Sequence, residues 1–211
     1  MTEQPVVNIR TPPEPAHAPA PDRSLLVLGV DLGTTSGYCY RYHDKVTGEP
    51  KGPLYLGLWD LSAGNFDSGA VRFARLRRLL GLLGPGLIGY EDAKVQVNDL
   101  SGLGGPRAKV VGTILINLRM SELFGAFKAT LAVWAEEHEV PAQGFPVGTI
   151  KKRATGKGNA NKEMIVAAFL KDLGLDLDPE TDGIDNAADA FYIYSLAVEQ
   201  VLPGVLTRKD G

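Results

Sequence analysis

The sequence lacks the residues of a thiol or zinc site. Its single cysteine, Cys39, has no partner for a disulfide within the chain. The three histidines, His17, His43 and His138, are scattered without the spacing of zinc ligands. These absences exclude a disulfide-stabilised secreted domain and a Cys/His metal centre, and they favour a reducing, intracellular setting.

Long hydrophobic runs and a strong net charge are also missing. No uninterrupted apolar run approaches the ~18 residues that a membrane span requires, and the N-terminus has no signal-peptide core. The formal net charge is only −3, so the overall charge gives no sign of a nucleic-acid partner. We therefore expect a cytoplasmic protein without a membrane partner.

Periodic hydrophobicity is absent from the first 23 residues, which hold six prolines. That composition predicts a disordered tail over 1–23. The remainder can bury one full core, because 44% of the 211 residues are hydrophobic. We predict one domain over 24–204, followed by a short tail over 205–211.

Apolar periodicity predicts the element order β-β-β-α-β-α-β-α-α. The apolar run 25–30 ends at Asp31, and a small-residue turn with Gly33 and Gly37 leads into the second strand. A loop is expected at 101–106. The other strands are predicted at 53–61, 87–90 and 143–147, and the helices at 70–83, 107–139 (with a break near 117 as an alternative), 161–173 and 182–200. This order indicates an α/β fold with a mixed five-stranded sheet flanked by helices.

Three of these elements carry acids at their ends. Asp31 ends the first strand, Glu91 ends the first strand after a helix, and Asp185 and Asp189 share a face of the last helix, with Asp182 three residues earlier. Clustered carboxylates stay ionised when cations neutralise them, and oxygen ligands without His or Cys favour Mg²⁺ or Mn²⁺. Two such ions about 4 Å apart are the usual catalysts of phosphodiester cleavage.

Each acid alone also has a structural explanation. Asp31 could cap a turn, Glu91 could be a surface acid, and the helical acids could compensate the helix dipole. The joint pattern favours the metal site, because Ala187, Ala188 and Ala190 would let the last helix approach the sheet closely.

A basic, glycine-containing segment lies at 147–162 (VGTIKKRATGKGNANK). We predict a loop that leads to a helix start at Asn161, where backbone donors and cationic side chains hold DNA phosphates. A plain surface loop is the alternative, and a P-loop is excluded because the G-x-x-x-x-G-K-[ST] spacing is absent. The predicted DNA-binding residues are Lys151, Lys152, Arg153, Lys157 and Lys162.

Four motifs in this order resemble the RuvC-like Holliday-junction resolvases, most closely the phage branch of that family. They are GVDLGTTSGY, IGYEDA, VGTIKKRATGKGNANKE and IDNAADAFYIY, and together they span about 25–201. The resemblance implies an RNase H-like fold and a homodimer with much of its interface on the helix 107–139. It also implies Mg²⁺-dependent paired nicking of four-way DNA junctions in recombination, repair or phage DNA processing. The setting implied is the cytoplasm of a bacterium or a phage-infected host.

The resemblance also implies roles for individual residues. Asp31, Glu91 and Asp189 match the family's catalytic, metal-binding acids by position. The remaining acid matches Asp185 in the phage-type pattern, with Asp182 as the alternative. Bacterial members carry that acid three residues before the last Asp, where this chain has Asn186. The lysines of the basic segment match the family's DNA-facing stretch.

Three other functions fit part of the sequence. Asp-Leu-Gly-Thr-Thr-Ser also resembles the phosphate loop of sugar kinases and actin-like ATPases, but 211 residues cannot easily hold the second large domain that those proteins need. The same fold could serve a general RNase H-type nuclease, for example in RNA processing, without junction specificity. The third is a junction-binding protein without catalysis. Asn186 leaves this function open, and the four retained acids argue against it.

Overall fold

The computed structural model describes residues 5–8, 23–92 and 107–207, with the backbone alone at Asn8 and at 107–118. The loop predicted at 101–106 lies outside these ranges. The strands are β1 (Val6–Asn8), β2 (Ser24–Asp31), β3 (Thr35–Asp44), β4 (Pro50–Asp60), β5 (Leu87–Glu91) and β6 (Ala142–Phe145). The helices are α1 (Val71–Leu83), α2 (Arg107–Glu137), α3 (Val147–Thr155), α4 (Lys162–Leu173), α5 (Ile184–Leu196) and α6 (Leu202–Thr207), with a π-helical turn at Ala197–Val201 between the last two.

The strands form one mixed sheet in the order β1-β4-β3-β2-β5-β6. β2, β3 and β4 make an antiparallel meander, and β5 runs parallel to both β2 and β6. The predicted mixed α/β sheet is confirmed, with six strands instead of five, because β1 pairs parallel with β4. The prediction of disorder does not hold for Val6–Asn8, while the tail boundaries at 23 and 205 stay predictions.

Both faces of the sheet are buried, which explains why β2 reads as a continuous apolar run. Leu26, Leu28 and Val30 point into a cluster with α1 and α2. Val27, on the opposite face, packs in a second cluster with α3, α4 and α5. The sheet therefore separates two helical layers.

Two helical predictions need correction. α2 is continuous through Asn117, so the break does not occur. Most of the predicted basic loop is helical, since α3 spans Val147–Thr155 and begins after the extended residue Pro146. Gly156 ends α3 in a left-handed conformation, where glycine has no steric penalty. The predicted N-cap Asn161 is confirmed, because its side chain accepts a hydrogen bond from the Met164 backbone N–H at 3.0 Å.

The last helical stretch is more apolar than the sequence analysis expected. Ile184–Thr207 is long and apolar enough, by length and composition, to cross a membrane. Helices in protein cores meet the same criterion. Of the apolar 18-residue window, 39% is buried. In α5, nine of the 13 residues are buried, so we assign the apolar surface of α5 to packing on the sheet.

His43, on β3, is buried and links the sheet to α5 through its hydrogen bond to Tyr194. Its Nδ1 lies 2.8 Å from the Gly48 carbonyl oxygen, and its Nε2 lies 2.8 Å from the Tyr194 hydroxyl. A carbonyl oxygen can only accept, so Nδ1 carries the proton and Nε2 accepts from Tyr194. Burial lowers the pKa of His43, and the bond to Gly48 only partly opposes this.

This buried histidine predicts a pH-dependent loss of stability. The unfolded chain binds a proton at His43 near pH ~6.5, whereas the folded chain does so only at lower pH. The free energy of unfolding should therefore fall as the pH drops below that value. Melting curves of wild type and His43→Gln check this, with wild type losing more of its stability between pH 7.5 and 5.5. Parallel losses in the two proteins would contradict the assignment.

Candidate active site

Asp31 and Glu91 lie side by side at one edge of the sheet. Val30 pairs with Tyr90 in the parallel β2–β5 ladder, and each strand ends one residue later. Neighbours in such a ladder project from the same face. The two carboxylates therefore stand together on the face that carries α5, at the end of the sheet that we call the acidic edge.

Three glycines let α5 and the turn after it pack directly on this face. A Cβ at Gly37 would lie 1.9 Å from the Asn186 carbonyl oxygen, and a Cβ at Gly29 would lie 2.4 Å from the Tyr194 backbone nitrogen. A Cβ at Gly89 would lie 3.1 Å from that of Ala197. Gly37 is the cross-strand partner of Asp31, and Gly29 precedes Asp31 by two residues. α5 consequently crosses the sheet next to Asp31.

Four acids from three elements form one electrostatic cluster. Burial raises the pKa of Asp31 well above its ordinary value, and the charges of Glu91, Asp189 and Asp185 raise it further. Burial, followed by the charges of Glu91 and Asp185, raises the pKa of Asp189 to about 7. Burial also raises the pKa of Glu91. The charges of the carboxylates that the sequence analysis selected therefore act on one another, and they repel.

Two lysines of the basic segment reach this acidic cluster. Lys162, at the start of α4, places its Nζ 2.5 Å from Asp185 Oδ2. Burial raises the pKa of Asp185, but the hydrogen bond and charge of Lys162 outweigh it, so this pKa lies below its ordinary value. Lys151, on α3, lowers the pKa of Glu91 and of Asp189. These lysines partly offset the negative charge of the four acids.

The other predicted basic residues lie further from the cluster. Lys152 and Lys157 are exposed on α3 and on the loop after it. Arg153 points away and forms a two-pronged ion pair with Glu199, with nitrogen–oxygen distances of 2.6 and 3.0 Å. Lys152 and Lys157 remain accessible to a phosphate, whereas Arg153 is engaged within the protein.

Asp182 and Asn186 do not join the four acids. Asp182 lies in the loop before α5, on a cleft of about 350 Å³ that Lys162 and Asp185 also line. It contributes to the pKa of neither Asp31 nor Asp189, unlike Asp185. Asn186 donates a hydrogen bond from Nδ2 to the Thr35 carbonyl oxygen at 3.1 Å, which ties α5 to the turn after Asp31.

The sequence analysis missed one ion pair beside the site. Asp92 follows Glu91 and forms an ion pair with Lys128 of α2. Successive side chains along a strand point to opposite faces of the sheet, so Glu91 points toward α5 and Asp92 toward α2. The motif IGYEDA shows two adjacent acids, but which helix each one faces cannot be predicted until the positions of the helices are known.

The chemistry of the acidic cluster suits a hard divalent cation. Its donors are carboxylate oxygens without His or Cys, the set that Mg²⁺ and Mn²⁺ prefer. In the ranges that the structure describes, no three His, Cys, Asp or Glu side chains are gathered closely enough to form a complete ligand set for one ion. That Asp31, Glu91, Asp185 and Asp189 together hold a cation therefore stays a prediction.

Comparison with solved structures identifies the fold. A Thermus thermophilus RuvC structure matches at 20% identity with a TM-score of 0.50, covering 82% of this chain and 95% of that one. T. thermophilus RuvC in complex with Holliday junction substrate matches at 18% identity with a TM-score of 0.53, covering 86% and 97%. No family model and no curated protein matches the chain. The predicted RuvC-like, RNase H-like fold is confirmed.

Proposed function

We propose that this protein is a metal-dependent endonuclease that resolves Holliday junctions or related branched DNA by paired nicks. The observation that carries the proposal is the convergence of Asp31, Glu91, Asp185 and Asp189 beside the lysines of α3 and α4. The shared fold supports it, because one of the matching structures is RuvC bound to Holliday junction substrate. The single buried cysteine suits action in the reducing cytoplasm of a bacterium or a phage-infected host.

In the proposed mechanism, the four acids would hold Mg²⁺ or Mn²⁺, two ions in all. Such ions would supply activation of the attacking water and neutralisation of charge at the scissile phosphate. Lys151 and Lys162 reduce the repulsion between the acids and the incoming phosphate. Lys152 and Lys157 hold the DNA backbone further from the reacting atoms.

We further propose that the enzyme acts as a homodimer. Two nicks in opposed strands of a four-way junction need two acidic clusters, and the described part of this chain supplies one. Two large hydrophobic side chains of α2, Met120 and Val133, are 44% and 50% exposed, which supports an interface on that helix. Sedimentation equilibrium should give a dimer, and a strict monomer at working concentrations would contradict this part of the proposal.

A cleavage assay on four substrates tests the proposed function. Purified protein with Mg²⁺ is offered a four-way junction, a flap, a linear duplex and an RNA–DNA hybrid. We expect paired nicks in the junction and little cutting of the duplex or the hybrid. Equal cutting of junction and linear duplex would favour a general nuclease with the same fold, and no cutting of any substrate would favour a binding protein.

The lysines of α3 predict a salt-dependent contribution to DNA affinity. Lys151→Ala with Lys152→Ala should weaken junction binding and reduce the salt dependence by about one to two phosphate contacts, because each contact releases a counterion. Fluorescence anisotropy at several salt concentrations measures both quantities. The matched control is Lys45→Ala with Lys171→Ala, two exposed lysines outside the site. Equal affinity and salt slope in the α3 variant and the control would refute this role.

A further inference from the structure

The two strand ends that carry acids both contact α2, on the face of the sheet opposite α5. A Cβ at Gly33, in the turn after β2, would lie 3.9 Å from Cε1 of Phe124, so this ring packs beside the turn. Lys128 forms the ion pair with Asp92, the residue that follows β5. Phe124 and Lys128 are one helical turn apart and therefore lie on the same side of α2. One side of this helix thus supports both strand ends.

The backbone of Asp92 is held by β6, and its side chain is held by Lys128. The Asp92 backbone N–H donates to the Phe145 carbonyl oxygen at 2.8 Å, which extends the β5–β6 ladder by one residue. A Cβ at Gly144 would lie only 2.9 Å from the Cβ of Asp92, so the side chain packs closely on β6. The side chains of Lys128 and Asp92 are 32% and 34% exposed. Loss of Lys128 would therefore leave a partly buried carboxylate without this cation, directly beside Glu91.

The charge of Lys128 does not act directly on the acids of the site. Lys151, on the α5 side of the sheet, lowers the pKa of Glu91 and of Asp189. Lys128 is not among the charges that shift the pKa of either acid. Because Lys128 lies behind the sheet, its influence on Glu91 passes through the backbone that joins Glu91 to Asp92.

We propose that Lys128 is a positioning residue for Glu91. By holding the Asp92 carboxylate against α2, it fixes the peptide between the two acids and thus the direction of the Glu91 carboxylate. Successive side chains on a strand leave opposite faces, so a rotation at Asp92 also turns Glu91. A displacement of about 1 Å is enough to impair a cation ligand or a reacting group. This inference rests on the proposed function, because only a cation site needs Glu91 in one fixed direction.

Mn²⁺ binding distinguishes positioning from a direct effect of charge. If Lys128 acted only through its charge, Lys128→Ala would bind Mn²⁺ more tightly and Asp92→Ala would bind it more weakly. Positioning predicts a loss of about tenfold in each single variant and no further loss in the double variant, because both remove the same ion pair. Lys128→Arg should bind as wild type does, since a guanidinium can hold the same carboxylate. Titration calorimetry measures these four affinities.

Cleavage and DNA binding give two further readouts. Lys128→Ala should cut a four-way junction about tenfold more slowly in single-turnover assays. Its affinity for the junction, measured with Ca²⁺ in place of Mg²⁺, should equal that of wild type at every salt concentration. Weaker binding with a smaller salt dependence would assign Lys128 to a phosphate contact and overturn the inference. Tighter Mn²⁺ binding in Lys128→Ala, or additive losses in the double variant, would also overturn it.

A second ion pair of α2 provides the matched control. Arg77 of α1 pairs with Glu137 near the end of α2 that lies away from the acidic edge, and these side chains are 43% and 48% exposed. Arg77→Ala with Glu137→Ala removes this pair from the same helix. Mn²⁺ affinity and cleavage by this control should equal those of wild type. Equal losses in the control and in Lys128→Ala would overturn the inference, because they would show a general weakening of α2.

A measurement without cations or DNA separates this inference from the proposed function. In amide NMR spectra of the metal-free protein, the Glu91 signal should shift in Lys128→Ala and return to its wild-type position in Lys128→Arg. If these shifts occur but wild type cuts no DNA, the proposed function falls and the effect of Lys128 on Glu91 stands. If wild type cuts junctions while neither the Glu91 signal nor the Mn²⁺ affinity responds to Lys128→Ala, only the inference falls.

Discussion

Asp31→Asn is expected to reduce junction cleavage by at least about 10³-fold, since weaker cation binding forfeits several kcal/mol of transition-state stabilisation. Asparagine keeps the shape of the side chain and removes its charge. Asp31 interacts with each of the other three acids, so its loss disturbs the whole cluster. Single-turnover cleavage with saturating Mg²⁺ measures the effect.

Binding should survive this substitution. Removing one negative charge beside the DNA reduces repulsion, so Asp31→Asn should bind a junction at least as tightly as wild type does. Asp182→Asn is the matched control, because Asp182 is exposed and lies outside the four-acid cluster. A variant of Asp31 that still cuts within about threefold of wild type would contradict its role as a cation ligand.

Gly37→Ala is expected to destabilise the fold by about 3 kcal/mol or more. The new Cβ would lie 1.9 Å from the Asn186 carbonyl oxygen, a backbone atom that moves only if α5 moves. Displacing α5 would also carry Asp185 and Asp189 away from Asp31. We therefore expect lower stability in urea denaturation and lower cleavage in the fraction that remains folded.

Gly81→Ala provides the control for this prediction. Gly81 lies within α1, and a Cβ there would meet nothing within 4 Å. Alanine favours a helix over glycine, so this variant should be more stable by roughly 0.5–1 kcal/mol. If Gly37→Ala melts at the same temperature as wild type, the close approach of α5 to the sheet is wrong.

The acids could be predicted from the sequence because each marks the end of a periodic element. Asp31 and Glu91 follow short apolar runs, and Asp185 and Asp189 repeat at helical spacing. The alanines of α5 indicated a close approach to the sheet. The matching glycines, Gly29, Gly37 and Gly89, lie on three strands and meet only once the register is formed, so their shared role could not be read along the chain.

Other features depend on tertiary context. The sequence favours a loop where α3 lies, because Gly148, Gly156 and Gly158 dominate the segment, although only Gly156 ends the helix. β1 has three residues and a single partner strand, which is too short for any periodic signal. The reach of Lys151 toward Glu91 follows from the orientation of α3, which the sequence does not specify.

Titration calorimetry with Mn²⁺ tests most directly whether the four acids form one cation site. Wild type and Asp182→Asn should bind Mn²⁺ with the same stoichiometry and affinity. Asp31→Asn and Asp189→Asn should each weaken binding by about tenfold or more, because each removes a charged oxygen ligand from a shared site. Mn²⁺ binding that is unchanged by both substitutions would contradict the account.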